Sequence, residues 1–445
     1  MTKSASLTEG RLGSGILLFS LPLMCSNLLQ VLFNMVDIAV VGRFSGSAAL
    51  GAVGSTTILI TLFTGILMGV GSGVNVICAR HIGARNSAAV RESVHTSLLL
   101  CVLCGLMISA FGVLAGKGIL QLLNTREELL DGALLYLRIY VLGMPALAVY
   151  NFGNGVFSAA GNTRKPLLFL SISGVINVVL NLLFVIGFHM SVAGVAIASV
   201  VSQYISAALI LISLARTREA HGLRLADLRI HADKAWAILG LGVPAGMQNA
   251  IFQLANLFIQ AGINSFDAVT VAGCAAASNA DGLVFDVMAA FYTACSSFMG
   301  QNYGAGKRSR VLKSYYISLA YSFGIGTALG VGIALCGDGF LSLFTADPAV
   351  IAAGKYFLLV KGTFYGVSAF MDCTIAASRG IGKSVMPTVI VILGSCVFRV
   401  IWVYTIFAFF GTLTSLYLLY AFSWSLTGLF EILYFVHAWR RLPPE

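Results

Sequence analysis

An aspartate stands inside an apolar run in NLLQVLFNMVDIAVVGRF, residues 27–44. Asn27, Gln30, Asn34 and Asp37 step by three or four residues, which places them on one face of a helix. A second polar face occurs in NVVLN, where Asn177 and Asn181 are one turn apart, and Ser199 adds a hydroxyl in the following apolar run. One carboxylate with several neutral oxygen donors suits either a Na⁺ ion or an acid that takes up and releases a proton. The remaining ionisable groups inside apolar runs are Asp281, Asp286, Lys361, Asp372, Arg399 and Glu431. If these runs cross a bilayer, each such group costs at least a few kcal/mol and is expected either to work or to be paired. The three aspartates of the second half are expected to meet a cation or to pair with Arg399. Glu431, six residues before His437, is expected to snorkel toward the nearer membrane surface.

The elements that must hold these residues follow from composition. The chain has 445 residues, 58% hydrophobic and 10% charged, where a soluble domain carries roughly 25% charged residues. Apolar runs long enough to cross a bilayer recur near 14–41, 48–78, 94–116, 134–158, 166–188, 192–214, 236–262, 268–299, 315–336, 355–377, 386–410 and 413–438. The reading is an all-α polytopic membrane protein with twelve spans. The net charge of +10 does not indicate nucleic acid, because of how it is distributed. Of the 27 basic residues, 20 fall on the side of the two termini, from Lys3 and Arg11 through Arg379 and Lys383 to Arg441. The other side holds only Arg43, Lys117, Arg126, Arg138 and Lys355. Cytoplasmic loops collect Lys and Arg, so both termini are expected in the cytoplasm and the protein in the plasma membrane. The first apolar run is too long for a cleaved signal and is expected to stay as a span.

Two blocks repeat along the chain. Pro22, Asn27 and Asn34 fall on Pro244, Asn249 and Asn256 with a constant offset of 222. ARHIGARNSAAVRES at Ala79 pairs with GQNYGAGKRSRVLKS at Gly300 with an offset of 221, and AAGNTRKP at Ala159 faces AASRGIGKSVMP at Ala376. Three matches in the same order indicate a duplication into a first lobe over 1–214, a cytosolic linker over 215–234 and a second lobe over 235–445. Each half has six spans, so the lobes are expected to be pseudo-symmetric about an axis along the membrane normal. The seventh span repeats the polar stripe as Asn249, Gln253, Asn256 and Gln260, with Ile259 where Asp37 would fall.

Other motifs carry less chemistry. GVGSGV at Gly69 resembles a nucleotide loop, but no strand precedes it, and close helix packing through small residues explains it better. Cys101 and Cys104 form a CxxC in an apolar helix with no partner cluster, and His95 has no ligand partner at i+4. No Walker or HExxH motif occurs, which argues against an ATP-driven pump or an intramembrane metalloenzyme. Phe33, Tyr150, Phe152, Phe285, Phe291, Tyr292 and Tyr365 would suit cation–π contacts with a lipophilic cation.

NMVDIAVVGRFSGSAALGAVG from Asn34, AAGNTRKP, GQNYGAGK and SRGIGKSVMP together resemble the multidrug and toxic compound extrusion (MATE) family. The resemblance covers the chain from about Gly13 to Arg441. It implies two six-helix lobes around a V-shaped cavity, and export of amphipathic, often cationic organic compounds in exchange for H⁺ or Na⁺. It also implies a coupling-ion site at Asp37 with Asn177, Asn181 and Ser199 beside it, a site that Na⁺ could occupy. Gln30, Asn34, Asn249, Gln253, Asn256, Asp286 and Asp372 are expected to line the substrate cavity. In the branch compared, position 181 is typically Asp and position 199 Thr, so Asn181 removes a negative charge and favours a single proton-carrying Asp37. The expected protein is a monomeric antiporter, not an enzyme. It uses no cofactor beyond the coupling ion, and its partners are a small organic substrate and membrane lipid. A flippase for lipid-linked intermediates is the rival reading. It calls for a strongly basic cavity, whereas Lys361 and Arg399 are the only interior bases here.

Overall fold

The computed structural model describes residues 6–123 and 125–442, and Lys3 of the topology count lies outside them. Without water to satisfy backbone groups, a membrane-spanning chain closes its hydrogen bonds within each helix. Among the described residues, ten helices are long and apolar enough to cross a bilayer. The first half runs α1 (Leu12–Phe44), α2 (Gly46–Gly83), α3 (Ser87–Leu122), the shorter pair α4 (Glu127–Val141) and α5 (Met144–Ala159), then α6 (Arg164–Gly187) and α7 (Ser191–Ala215). The second half runs α8 (Ala232–Ile263), α9 (Ala268–Gly304), α10 (Arg308–Leu335), short α11 (Gly337–Leu341), α12 (Pro348–Gly362), α13 (Tyr365–Gly380), α14 (Val385–Phe410) and α15 (Leu413–Arg440). α4 with α5 and α12 with α13 each make one bent span, which completes the twelve.

The two bent spans refine the expectation of straight helices near 134–158 and 355–377. Their parts meet at 46° and 49°. All four helix bounds of the second pair lie 221 residues beyond those of the first, so the break is a property of the repeat. In the first half, Pro145 removes a backbone donor, and Gly143 accepts the side chain of Gln203 where a Cβ would stand 1.9 Å from its Oε1. In the second half no proline marks the break, and Phe364 N turns back to the carbonyl of Lys361.

The chain divides into two compact units, one of Cys25–Asn249 and one of Leu7–Met24 with Ala250–Glu445. In the first unit, the glycines of GVGSGV act as packing residues. A Cβ on Gly69 would stand 2.2 Å from Gly246 N, and one on Gly73 would stand 2.6 Å from Ile238 O, so α2 and α8 meet backbone to backbone. Gly71 turns the other way, against Asn151 of α5. His95 of α3 and Thr96 hold the strap between the two halves through Arg224 and His231. In the second unit, the GQNYGAGKRSR loop grips the amino-terminal segment. Asn302 donates to Leu7 O, Lys307 to Thr8 O and Arg310 to Glu9 O and Gly10 O. Leu12, Ile16, Phe19 and Leu23 then pack on Phe291 and Phe298 of α9. Each unit therefore contains the first part of the other half's leading helix, α8 in one case and α1 in the other.

Candidate functional site

Asp37 lies on the carboxyl-terminal part of α1, where that helix belongs to the first unit. One turn earlier, the ring of Phe33 rests on Gly174 of α6, in space a Cβ would occupy at 1.9 Å. This close approach brings Asp37 level with Asn177 and Asn181, one and two turns along α6. Asn181 Nδ2 donates a short hydrogen bond to one Asp37 carboxylate oxygen, and Ser199 Oγ of α7 donates to the other at 3.3 Å. Asn181 Nδ2 also reaches Asn177 Oδ1 at 3.2 Å, and Asn177 Nδ2 lies 3.5 Å from Ser199 Oγ. The four side chains thus form one network, with Asn177, Asn181 and Ser199 buried and Asp37 half-buried. Asn181 Oδ1 is buried with no hydrogen-bond partner among the described residues, an acceptor a cation could use.

Sequence reasoning missed the phenols of this site. Tyr136 of α4 is buried and Tyr140 half-buried, both within electrostatic reach of Asp37. The four-residue step from Tyr136 to Tyr140 was the only available signal, and nothing in it pointed toward α1.

The expected cavity residues have diverse settings. Gln30 and Asn34 are exposed on α1. Asn249 donates to Gly65 O at 3.1 Å and so ties α8 to α2 within the first unit. In the second unit, Gln253 is half-buried, Asn256 is exposed, and Asp286 and Asp372 are half-buried on α9 and α13. Ile259, at the repeat position of Asp37, is buried in the core of that unit. Several aromatics expected to face a cation pack inside instead: Tyr150, Phe152, Phe291 and Tyr365 are all buried.

Of the second-half aspartates, Asp281 forms an ion pair, and its partner is Lys361 rather than Arg399. Lys361 Nζ donates to Asp281 Oδ2 at 2.7 Å. α12 carries Lys361 inward on its last turn, one residue short of the break, where it meets α9. Asp372 lies within electrostatic reach of both Arg379 and Arg399. Glu431 does not snorkel. It is 0% exposed, and neither carboxylate oxygen has a hydrogen-bond partner among the described residues. The reason is its register: Ser415, Leu419, Ser423, Thr427 and Glu431 recur every four residues along the buried face of α15. That spacing was legible in the sequence.

Two six-helix halves, repeated in register and each carrying ionisable groups within its spans, define a two-lobed polytopic membrane transporter. The MatE family profile matches residues 22–183 and again 244–405. Both ends of the second match lie 222 residues beyond those of the first, the offset read from the paired motifs. The chain belongs to this family of multidrug efflux transporters. It is 29% identical over 368 residues to a probable multidrug resistance protein, YpnP, of Bacillus subtilis, covering 82% of this chain and 81% of that one. It is 27% identical over 367 residues to a protein of Shewanella oneidensis named FAD transporter, covering 81% and 80% of the two chains. Its fold matches a crystal structure of MATE in complex with MaL6 with a TM-score of 0.92, over 99% of both chains at 22% identity.

Proposed function

We propose that this chain is a secondary antiporter of the plasma membrane, with both termini cytoplasmic, that exports small amphipathic organic compounds in exchange for H⁺ or Na⁺ taken up at Asp37. One observation carries the reading. Among the described residues, Asp37 is hydrogen-bonded by amide and hydroxyl groups, with both carboxylate oxygens held by neutral donors. A carboxylate paired with a base would be locked in its charged form, whereas one held by neutral donors can change charge in place.

Facing outside, Asp37 takes up a proton, or shares Na⁺ with Asn177, Asn181 and Ser199, and the site becomes neutral. The hydrogen bonds from α6 and α7 to α1 then weaken, and substrate affinity falls with them. Facing inside, the ion leaves, the network re-forms and a new substrate binds. Linkage requires that the free energy by which the ion changes substrate affinity equals that by which substrate changes ion affinity.

Efflux of a fluorescent organic cation from proteoliposomes, under a pH gradient and a Na⁺ gradient separately, tests this with wild type and Asp37→Asn. Transport driven by one gradient and lost in the variant supports the reading and identifies the ion. Transport unchanged in Asp37→Asn moves coupling to the second half.

A further inference from the structure

The duplication places a second polar cluster at related positions of the second unit, with the charge reversed. By the offset of 222, Asn177 corresponds to Arg399, and by the offset of 221 that relates α4 to α12, Tyr140 corresponds to Lys361. In the first unit these positions flank a carboxylate. In the second they carry two cations, 4% and 2% exposed. Both approach the ring of Tyr420: Lys361 Nζ stands 3.8 Å from its centroid, and the Arg399 guanidinium 5.0 Å. Further rings flank them, with Trp424 at 5.9 Å from Lys361 and Phe252 at 5.1 Å from Arg399.

Arg399 has no direct ion-pair partner among the described residues. Asp281 pairs with Lys361 alone in a direct ion pair. Asp281 and Asp372 act on Arg399 only at longer range, and Asp372 is shared with Arg379, which Glu431 also faces. Arg399 Nε donates to Ser423 Oγ at 3.2 Å, while one terminal nitrogen is buried with no acceptor among the described residues. A guanidinium presents its donors in a planar fork suited to carboxylate and phosphate, and a buried donor left without an acceptor is destabilising. The side chain of Asp281 is 20% exposed and that of Lys361 5% exposed, and the second Asp281 oxygen is buried with no hydrogen-bond partner among the described residues.

We propose that Lys361, Arg399 and the ring of Tyr420 form a binding site for an aromatic anion, a planar ring carrying a carboxylate or phosphate. The anion takes the unused guanidinium donor of Arg399 and competes with Asp281 for Lys361, while its ring lies against Phe252 and Trp424. This deepens the exporter reading and rests on it only for the transport step, because binding can be measured without a gradient.

Equilibrium dialysis with the full-length protein in detergent compares two probe pairs that share a ring and differ in charge. Flavin mononucleotide against riboflavin tests phosphate, and anthracene-9-carboxylate against anthracene-9-methanol tests carboxylate. The expected result is an anion preference of about tenfold in one pair or both, as for a charge-assisted hydrogen bond. Whichever pair discriminates identifies the group. The preference is lost in Arg399→Gln, restored in Arg399→Lys and increased in Asp281→Asn, where the competing carboxylate is gone. Thermal melts confirm that each variant is folded. The gain in Asp281→Asn cannot come from a misfolded pocket and keeps the test decisive if Arg399→Gln does not fold. Equal affinities within both pairs, or no gain in Asp281→Asn, overturn the proposal. Asp37→Asn separates the two readings: it retains the anion preference here even if the coupling hypothesis fails in proteoliposomes.

Discussion

In the first lobe Asp37 meets amide and hydroxyl groups, whereas in the second Lys361 and Arg399 meet one paired carboxylate and the ring of Tyr420. Both settings use the same parts of the repeat. The bent spans break at equivalent residues, and the family match repeats with a fixed offset. A few substitutions separate them: Ile259 in place of an acid, Arg399 in place of an amide and Lys361 in place of a phenol. The helices are set by backbone hydrogen bonding and by small residues at helix contacts, which tolerate a change of charge at one position. A duplicated scaffold can therefore keep its geometry while its two sites come to favour ions of opposite sign. The first is suited to switching charge. The second is an ion pair in low dielectric, where removing one partner is far more damaging than the pair is stabilising.

Four experiments can break or sharpen this contrast. The largest effect belongs to Asp37→Asn, which is expected to reduce gradient-driven efflux in proteoliposomes by on the order of a hundredfold or more, because no other first-lobe carboxylate can replace it. Retained coupling would remove the distinction between a switchable and a static site. Next, Asp281→Asn leaves Lys361 buried without its counter-charge and is expected to destabilise the protein by about 3 kcal/mol, seen as a lower thermal midpoint. Adding Lys361→Met to it should recover part of that loss. An unaltered midpoint would mean that the second-lobe pair is not the structural element described here.

Smaller effects refine the first site. Asn181→Asp adds a second carboxylate beside Asp37 and is expected to raise Na⁺ affinity by about tenfold, or about 1.4 kcal/mol, measured by Na⁺ dependence of transport at fixed pH. Ser199→Ala removes one donor to Asp37 and should change the coupling-ion affinity by roughly 1 kcal/mol, a factor of about five.

The smallest expected effect lies outside both sites and serves as a control for any pH dependence of transport. His221, in the strap, is held below its ordinary value of 6.5 by burial, opposed by Glu219 and reinforced by Lys165. A buried neutral histidine contributes stability above that value, and the contribution is lost as pH falls and the unfolded form binds the proton. Hydrogen exchange over residues 216–231 should therefore quicken below about pH 6.5, and His221→Gln should remove that dependence without moving the pH profile of efflux. If the profile moves with it, pH acts on the strap as well as on Asp37.

Much of this protein could be read before folding. Apolar runs of bilayer length imposed helices, because a lipid solvent leaves the backbone no other partner. The paired motifs revealed the duplication, and the three- and four-residue steps aligned Asn34 with Asp37 and Asn177 with Asn181. Periodicity orders residues along one helix, and it also contained the stripe that buries Glu431. What it cannot supply is which face of one helix meets which face of another. That Phe33 settles on Gly174 and brings α1 against α6, that Lys361 rather than Arg399 meets Asp281, and that Tyr136 and Tyr140 come within electrostatic reach of Asp37 were decided by close packing between helices distant in sequence. Such contacts depend on the shape of both surfaces at once, and a single helix carries only half of that information.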